Sequence, residues 1–234
     1  MNETSAKKLR WAFLGQVDYQ RALELQFELR DAITAGAEDT LLLLEHPPVI
    51  TLGRSARPEN VLADDSQLIA AGVGRVQISR GGDVTYHGPG QLVGYPLRLV
   101  GRAVRKHVEA ISGALIALLG EFGVEAHWRG DNPGIWTEQG KIAALGIDAR
   151  SKVAMHGFSL NVAPKLEHYR LIVPCGLAEA DVTSMAALGV DPLPNMEELA
   201  QRLASLLATA FGCELVAIAA QSILSASSAT IEGD

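Results

Sequence analysis

Residues 80–91, with the sequence RGGDVTYHGPGQ, constrain the fold of this chain more than any other segment. Four glycines and a proline fall within these twelve residues, between apolar runs at residues 76–78 and 92–93 that are typical of strands. Glycine allows the backbone to approach a ligand closely or to adopt positive φ, and Arg80 and His87 could orient that ligand. The residue types favour a ligand-binding loop, and the alternative is a tight structural turn between two strands.

The composition limits the classes of protein to which the chain can belong. Its 234 residues, 48% hydrophobic and 20% charged, suffice for one large domain or two small ones with a buried core. The formal net charge of −7 does not favour nucleic-acid binding, and no apolar run reaches the ~20 residues that cross a membrane. The polar N terminus is unlike a signal peptide, and two cysteines do not make a disulfide framework. We therefore expect a cytoplasmic protein with no nucleic-acid partner and no membrane partner.

Hydrophobic periodicity separates predicted helices from predicted strands. Helices are predicted at residues 19–35, 64–71, 104–122, 164–170 and 195–211. Strands are predicted at residues 9–14, 40–45, 49–52, 76–79, 92–100, 134–137, 141–147, 153–162 and 214–218. The strands occur in runs with helices between the groups, which favours an α+β fold with a mixed or antiparallel sheet and packed helices over a doubly wound parallel sheet.

The domain organisation is expected to be simple, because the sequence contains no internal repeat and no long linker. Residues 1–8 are predicted to form a flexible N-terminal arm, and residues 9–218 a single domain. Residues 219–234 are predicted to form an Ala/Ser-rich tail that is partly disordered, because it has little apolar surface to bury.

Cys175 is the first candidate for a catalytic residue. It follows an apolar run that ends at Pro174, and Gly176 leaves the neighbourhood of its sulfur open. A cysteine in this setting is either a nucleophile that a substrate reaches or a buried core thiol, the usual state of an isolated cysteine. Cys213, between a helix end and a strand, fits the core-thiol interpretation.

A nucleophilic thiol needs a base or a cation beside it, because the thiolate is the reactive form. His87 and His156 are candidates, and so is Lys141, the one charged residue of the apolar segment 141–147. A lysine that opens a strand is usually solvated, whereas a lysine that points into a pocket has its pKa lowered by desolvation and exchanges protons near neutrality. Residue types alone leave both interpretations of Lys141 open.

Other motifs give no support for metal or nucleotide chemistry. None of the six histidines is spaced with a cysteine as a zinc-ligand pair, and His107 and His127 are expected at the surface. The sequence has neither a Gly-x-x-x-x-Gly-Lys-Ser/Thr phosphate loop nor a Gly-x-Ser-x-Gly elbow. We expect no metal and no cofactor.

Six segments, in order, make the chain resemble the octanoyltransferases, which are the lipoyl(octanoyl) transferases of lipoate biosynthesis. They are LLEHPPV at 43–49, TLGR at 51–54, residues 80–91 with Tyr95, residues 141–147, HGFSLNV at 156–162 and IVPCG at 172–176. The resemblance extends from the first strand to residues 182–184, and the C-terminal helix fits less distinctively. It implies that residues 9–218 form a catalytic domain like that of biotin and lipoate protein ligases.

The resemblance also assigns roles to individual residues. It implies that Cys175 is the nucleophile and that Lys141 tunes it. It implies an acyl site lined by Arg80, Gly81, Gly82, Asp83, Val84, Thr85, Tyr86, His87, Ala144, Leu145, Gly146, Gly157, Phe158 and Ser159. Asp83 stands where Gln or Glu is more usual in the family, a difference that a solvent-facing side chain tolerates.

The implied reaction needs no ATP, because the thioester donor is higher in energy than the amide product. It moves an octanoyl group from octanoyl-acyl carrier protein to a lysine of lipoyl domains, as the first step of endogenous protein lipoylation. The acceptors are the lipoyl domains of 2-oxoacid dehydrogenases and the glycine cleavage H protein. Cys175 carries the acyl-thioester intermediate with the assistance of Lys141, and backbone N–H groups near Gly146 or Gly176 hold the oxyanion.

Two further points are stated as expectations. The acidic carrier protein is expected to dock on a basic patch, either Arg102, Arg105 and Lys106 or Arg150 and Lys152. The rival functions are an ATP-dependent lipoate or biotin ligase, which would share the fold without needing Cys175, and a non-catalytic binding module of the same fold. The presence of both Lys141 and Cys175 disfavours the binding module.

Overall fold

The structure is a computed structural model that describes residues 7–78, 80–149, 152–173 and 182–225. Its strands are β1 (Lys8–Gln16), β2 (Asp39–Glu45), β3 (Val49–Leu52), β4 (Gly74–Gln77), β5 (Val84–His87), β6 (Gln91–Leu99), β7 (His127–Arg129), β8 (Gly134–Thr137), β9 (Gly140–Asp148), β10 (Val153–Asn161) and β11 (Glu214–Ala217). Its helices are α1 (Tyr19–Thr34), α2 (Asp65–Ala71), α3 (Val104–Glu121), α4 (Met196–Phe211) and α5 (Ala220–Leu224). Short 3-10 helices lie at Pro58–Asn60 and Leu166–Leu171.

Eight strands form one mixed sheet in the order β11-β1-β2-β6-β10-β9-β8-β7. β1 runs parallel to both β11 and β2, and every other neighbouring pair of this sheet is antiparallel. A smaller sheet has the order β4-β3-β5, in which β3 is parallel to β4 and antiparallel to β5. The prediction of an α+β fold with a mixed sheet and packed helices is confirmed.

Helices cover both faces of the large sheet, which explains why β2 is an uninterrupted apolar run. Leu41 and Leu43 pack in one core with α3 and α4, whereas Leu42 and Leu44 pack in a second core with α1. All four side chains are fully buried. Successive side chains of a strand point to opposite faces, so a strand covered on both faces needs apolar residues at every position.

The helix that reaches the site is positioned by its N-cap. The Asp18 side chain accepts hydrogen bonds from the backbone N–H groups of Gln20 and Arg21, at 2.8 Å and 3.3 Å. An N-cap aspartate satisfies N–H groups that have no partner within the helix and so fixes the residue at which the helix begins. Tyr19 is therefore held in the first turn of α1, where it is 4% exposed.

β5 forms inside the glycine-rich segment, where the sequence favours a continuous loop. Val84 and Tyr86 are fully buried in a third core with Ile50 and Ile172. Because side chains alternate along a strand, Thr85 and His87 point to the opposite side, where they line the cavity. One short strand therefore contributes to a core on one side and to a cavity wall on the other.

Three further features differ from the sequence predictions. The prediction of a surface position for His107 is wrong, because the side chain is 3% exposed and stacks on Phe211 where α3 meets α4. β7 was not predicted and pairs with β8. α5 lies in the first part of the predicted tail, with Ile223 buried in the core that includes α1. Within the described residues, no helix has the length and apolar character needed to cross a membrane.

Candidate active site

A cavity of about 60 Å³ lies between the large sheet and the glycine-rich segment that leads into β5. Its described lining residues are Tyr19, Arg80, Gly81, Gly82, Thr85, His87, Val93, Tyr95, Lys141, Ala144, Leu145, Gly146, His156, Gly157, Phe158 and Ser159. These residues come from α1, β5, β6, β9, β10 and the segment before β5. The cavity therefore forms only when segments that are distant in sequence pack together.

Arg80 anchors the glycine-rich segment to β3. Its buried guanidinium donates from Nη2 to the Thr51 carbonyl oxygen at 2.8 Å and to Thr51 Oγ1 at 3.0 Å. The backbone N–H of Gly53 donates to the Asp83 carbonyl oxygen at 2.9 Å. A Cβ at Gly53 would lie 2.3 Å from the Gly82 carbonyl oxygen, so this close approach of the two chains requires glycine. The glycine-rich backbone is therefore held as a fixed wall of the cavity.

Lys141 is a buried lysine in the cavity wall, with 7% of its surface exposed. Its Nζ donates to Asn132 Oδ1 at 3.1 Å and lies 5.7 Å from the centroid of the Trp136 ring. Gly134 makes room for this side chain, because a Cβ there would lie 2.3 Å from Lys141 Cε. The backbone is fixed as well, since the Lys141 carbonyl oxygen accepts from Thr183 N–H at 3.0 Å. This placement agrees with the pocket interpretation of Lys141 rather than the solvated one.

His87 is a neutral imidazole whose tautomer is set by a buried amide. Its Nδ1 lies 2.7 Å from Gln91 Oε1, an acceptor, so Nδ1 carries the proton and Nε2 carries the lone pair. The amide orientation is fixed because Gln91 Nε2 donates to Asn161 Oδ1 and to the Tyr169 hydroxyl, both at 2.9 Å. Burial, assisted by the nearby His46 ring, lowers the pKa of His87 to about 3.

A chain of hydrogen bonds borders the deep side of the cavity. His46 Nδ1 donates to the Val17 carbonyl oxygen at 2.7 Å, so its Nε2 accepts from the Tyr95 hydroxyl, also at 2.7 Å. The Tyr19 ring lies beside this pair, with its centroid 4.9 Å from that of His46. Burial lowers the pKa of His46 to about 4 and raises the pKa of Tyr19 to about 12. All members of this chain are therefore uncharged at neutral pH.

His156 also lines the cavity, in a left-handed backbone conformation with φ of 59°. Its backbone N–H donates to the buried Gln26 Oε1 at 2.8 Å, which ties β10 to α1. A positive φ is uncommon for a residue other than glycine and needs support from its surroundings. Within the part of the chain that the structure describes, no group of three or more His, Cys, Asp or Glu side chains is arranged to hold a metal ion.

The structure brings most of the residues of the expected acyl site together, and it separates three of them. Lys141 and eleven of the fourteen expected lining residues border the cavity. Asp83 lies in an adjoining groove, and Val84 and Tyr86 face the third core. Cys175 lies outside the described residues, so its predicted role stays a prediction.

Three residues of the site escape sequence reasoning. Asn132, which accepts from Lys141, precedes a Pro-Gly pair, and residues of this kind predict only a turn. Tyr19 fits the amphipathic pattern of α1, so nothing in the sequence distinguishes it from a core residue. His46 is part of the quoted family resemblance, but its hydrogen bonds to β6 and to the chain before α1 depend on strand order.

Comparisons with known proteins agree with this geometry. Residues 18–208 match the family described as the lipoyl protein ligase A/B catalytic domain. The chain is 47% identical over 207 residues to an octanoyltransferase of Solibacter usitatus, covering 87% of this chain and 93% of that protein. It is 45% identical over 212 residues to an octanoyltransferase of Caldicellulosiruptor bescii, covering 87% and 91%.

Solved structures share the fold at low sequence identity. A Thermoplasma acidophilum protein, a lipoate protein ligase candidate with bound lipoic acid, has a TM-score of 0.73 at 15% identity, over 94% of both chains. Lipoate-protein ligase A bound with ATP has a TM-score of 0.69 at 15% identity, over 94% of this chain and 93% of that one. Fold and site thus define a catalytic domain of the lipoyl protein ligase A/B class. Within that class, the chain belongs to the octanoyltransferase family. The predicted family is confirmed, and with it an acyltransferase activity.

Proposed function

We propose that the chain transfers an octanoyl group from octanoyl-acyl carrier protein to the lysine of lipoyl domains, through a thioester on Cys175 with Lys141 as the proton carrier. The acceptors are the lipoyl domains of 2-oxoacid dehydrogenases and the glycine cleavage H protein. The reaction is the first step of endogenous protein lipoylation, in the cytoplasm. The observation that carries the proposal is the buried Lys141 in the cavity wall of a chain from the octanoyltransferase family.

The lining of the cavity suits an acyl chain next to a reactive carbonyl. Val93, Leu145 and Phe158 offer apolar surface, and the small Ala144 and Gly157 leave space beside it. An octanoyl chain has seven carbons beyond its carbonyl, and burying each of them contributes ~0.8 kcal/mol, or roughly 5 kcal/mol in all. Acyl binding at this level holds the thioester at the wall where Lys141 lies.

The first half-reaction moves the octanoyl group to the enzyme. Lys141 takes the proton of the Cys175 thiol, and the thiolate attacks the thioester carbonyl of the donor. A new carbon–sulfur bond to Cys175 forms, the bond to the carrier sulfur breaks, and the departing thiolate takes a proton from the Lys141 ammonium. Thioester exchanges for thioester, so this step is close to neutral in free energy.

The second half-reaction forms the amide. The acceptor lysine attacks the Cys175 thioester as a free amine, its excess proton passes to Lys141, and the bond to Cys175 breaks. Conversion of a thioester into an amide makes this step favourable, and it returns Cys175 as a thiolate beside a protonated Lys141. The sum of both halves consumes no ATP.

Lys141 suits the proton transfer better than the histidines of the cavity. A base whose pKa is about 3, as for His87, takes up a proton poorly at pH 7. His46 is not available as a proton acceptor, because both of its ring nitrogens are hydrogen-bonded, one to Val17 and the other to Tyr95. These two rings are therefore poor proton acceptors, and we assign the proton transfer to Lys141.

Reconstitution with purified octanoyl-acyl carrier protein and an unmodified lipoyl domain tests the proposal. Wild type should octanoylate the domain without ATP, as read by intact mass. Lys141→Ala should lower the rate by about 10²–10⁴, the usual contribution of general acid–base catalysis, while the exposed control Lys7→Ala retains the wild-type rate. Transfer that requires free octanoate and ATP would instead identify a ligase. Stoichiometric binding without turnover would identify a binding module.

A further inference from the structure

A groove of about 640 Å³ adjoins the acyl cavity. The two spaces share Gly81, Gly82, Leu145 and Gly146 as lining residues, so the groove continues the cavity between the glycine-rich segment and β9. Its volume falls within the ~300–1,000 Å³ of small-molecule sites. The reaction proposed above needs only the acyl cavity to hold the octanoyl chain, so the groove is available for another part of a substrate.

The inner part of the groove offers a hydrogen-bond donor next to Lys141. Asn132 is 8% exposed, and its Oδ1 accepts from Lys141 Nζ at 3.1 Å. Among the described residues, nothing accepts a hydrogen bond from its Nδ2. A buried amide N–H₂ without an acceptor is uncommon in a native fold and calls for a partner, such as a ligand carbonyl. The donor thus lies beside the amine that is proposed to serve the thioester.

The outer part of the groove offers a positive charge. Arg57 is exposed and lines the groove, and within the described chain its guanidinium makes no ion pair. Two carboxylates also line the groove, and each has partners. Asp83 accepts from the Arg57 backbone N–H at 3.2 Å and from Asn60 Nδ2, and Asp131 is paired with Arg129 at 2.5 Å. Arg57 is therefore the cation of the described lining that can pair with an anionic group, beside the negative charge that Asp83 retains.

We propose that this groove binds the phosphopantetheine arm of the acyl donor, with Asn132 Nδ2 donating to an amide carbonyl near the thioester and Arg57 pairing with the phosphate. The arm has the matching chemistry, since amide groups follow the thiol and a phosphate ends the chain. The inference rests on the octanoyl transfer proposed above and names the subsite for its donor. The inference places the phosphate of the donor at the outer part of the groove, beside Arg57.

This placement differs from the basic patch expected from the sequence. On β10, Val153 pairs with Leu99, close to Arg102, whereas Leu160 pairs with Ala143, close to Lys141. Seven residues separate these positions, which at about 3.3 Å per residue corresponds to roughly 23 Å of strand. Arg102 is exposed, so it provides a control variant of equal charge at the distant end.

Two donors that differ only in the phosphate test the subsite: octanoyl-phosphopantetheine and octanoyl-pantetheine, each with a lipoyl domain as acceptor. Arg57→Ala should raise KM for the phosphorylated donor on the order of tenfold, the effect of losing one charge-assisted hydrogen bond, with kcat unchanged. The KM for octanoyl-pantetheine should stay at the wild-type value, and Arg102→Ala should change neither. Among the described residues, Arg57 makes hydrogen bonds only through its backbone, so the variant should fold normally.

An equal effect of Arg57→Ala on both donors, or no effect on either, overturns the subsite while leaving octanoyl transfer intact. Equilibrium binding of free phosphopantetheine and pantetheine gives a readout that needs no turnover. Wild type should bind phosphopantetheine more tightly, and Arg57→Ala should remove the difference. If wild type shows no transfer even from octanoyl-acyl carrier protein, the proposed function fails, and the binding comparison alone then decides on the groove.

Discussion

Replacing His107 with phenylalanine should make the fold less sensitive to acid. The ring of His107 is 3% exposed and stacks on Phe211, with centroids 5.4 Å apart and planes 10° from parallel. Within the described chain neither ring nitrogen has a hydrogen-bond partner. Burial, together with the nearby Arg98 guanidinium, lowers the pKa of His107 from 6.5 to about 4. A phenylalanine keeps the stacked ring and removes the group that titrates.

The sign of the effect follows from which state binds the proton. The unfolded chain, with a histidine pKa of 6.5, binds protons at a pH where the folded protein does not, so stability falls as pH falls from 6.5 towards 4. pH 5 lies 1.5 units below the unfolded-state pKa of 6.5. At 1.36 kcal/mol per unit, the free energy of unfolding is therefore about 2 kcal/mol lower at pH 5 than above pH 6.5. A loss of this size is a large fraction of the stability of a typical domain.

Urea unfolding at pH 7.5 and pH 5.0 measures this loss. Between the two pH values, wild type should lose about 2 kcal/mol more than His107→Phe. His46 and His87 are present in both proteins, so their contributions cancel. His127→Phe, which changes an exposed histidine of β7, should lose as much as wild type. If wild type and His107→Phe lose the same amount, the ring of His107 is not buried in the neutral form and the reasoning is refuted.

Two further substitutions test the packing of the site. Gly134→Ala would place a Cβ 2.3 Å from Lys141 Cε and 2.6 Å from the Ala143 carbonyl oxygen, so the lysine and the adjoining β9 backbone must both shift. Octanoyl transfer should fall by about 10², while Gly113→Ala, which has no atom within 4 Å of the added Cβ, should leave the rate unchanged. A normal rate for Gly134→Ala would mean that the position of the lysine is not critical. Gln91→Leu should lower the free energy of unfolding by at least about 1–3 kcal/mol, because His87 Nδ1–H loses its acceptor and Asn161 and Tyr169 lose a donor. Urea unfolding at pH 7.5 measures this, and unchanged stability would contradict the buried hydrogen bonds of Gln91.

Periodicity predicted most helices and strands of this fold because burial acts locally. The apolar run of β2 indicates a strand that is covered on both faces, and the amphipathic pattern of α4 indicates a helix with one buried face. β5 was missed because glycines on both sides of residues 84–87 hide a four-residue strand. His107 was misplaced because a histidine within α3 gives no sign that α4 will cover it.

The site was predictable where the family resemblance named its segments, and less so where tertiary contacts decide. The resemblance grouped the glycine-rich segment with parts of β9 and β10, although they are distant in sequence. It could not show that Val84 and Tyr86 point away from the cavity, since that depends on how β5 pairs with β3. Asn132 reaches the site from the turn between β7 and β8, and Tyr19 from the start of α1.

The central claim is the covalent octanoyl-enzyme on Cys175, and mass spectrometry tests it most directly. Wild type mixed with octanoyl-acyl carrier protein, without an acceptor, should gain the mass of one octanoyl group, and peptide mapping should place that group on Cys175. Cys175→Ala should show neither the adduct nor any transfer to a lipoyl domain. The partly buried Cys213, whose Sγ contacts the Phe211 carbonyl oxygen at 3.6 Å, serves as the internal comparison and should stay unmodified. An adduct on Cys213, or continued turnover by Cys175→Ala, would contradict the proposed mechanism.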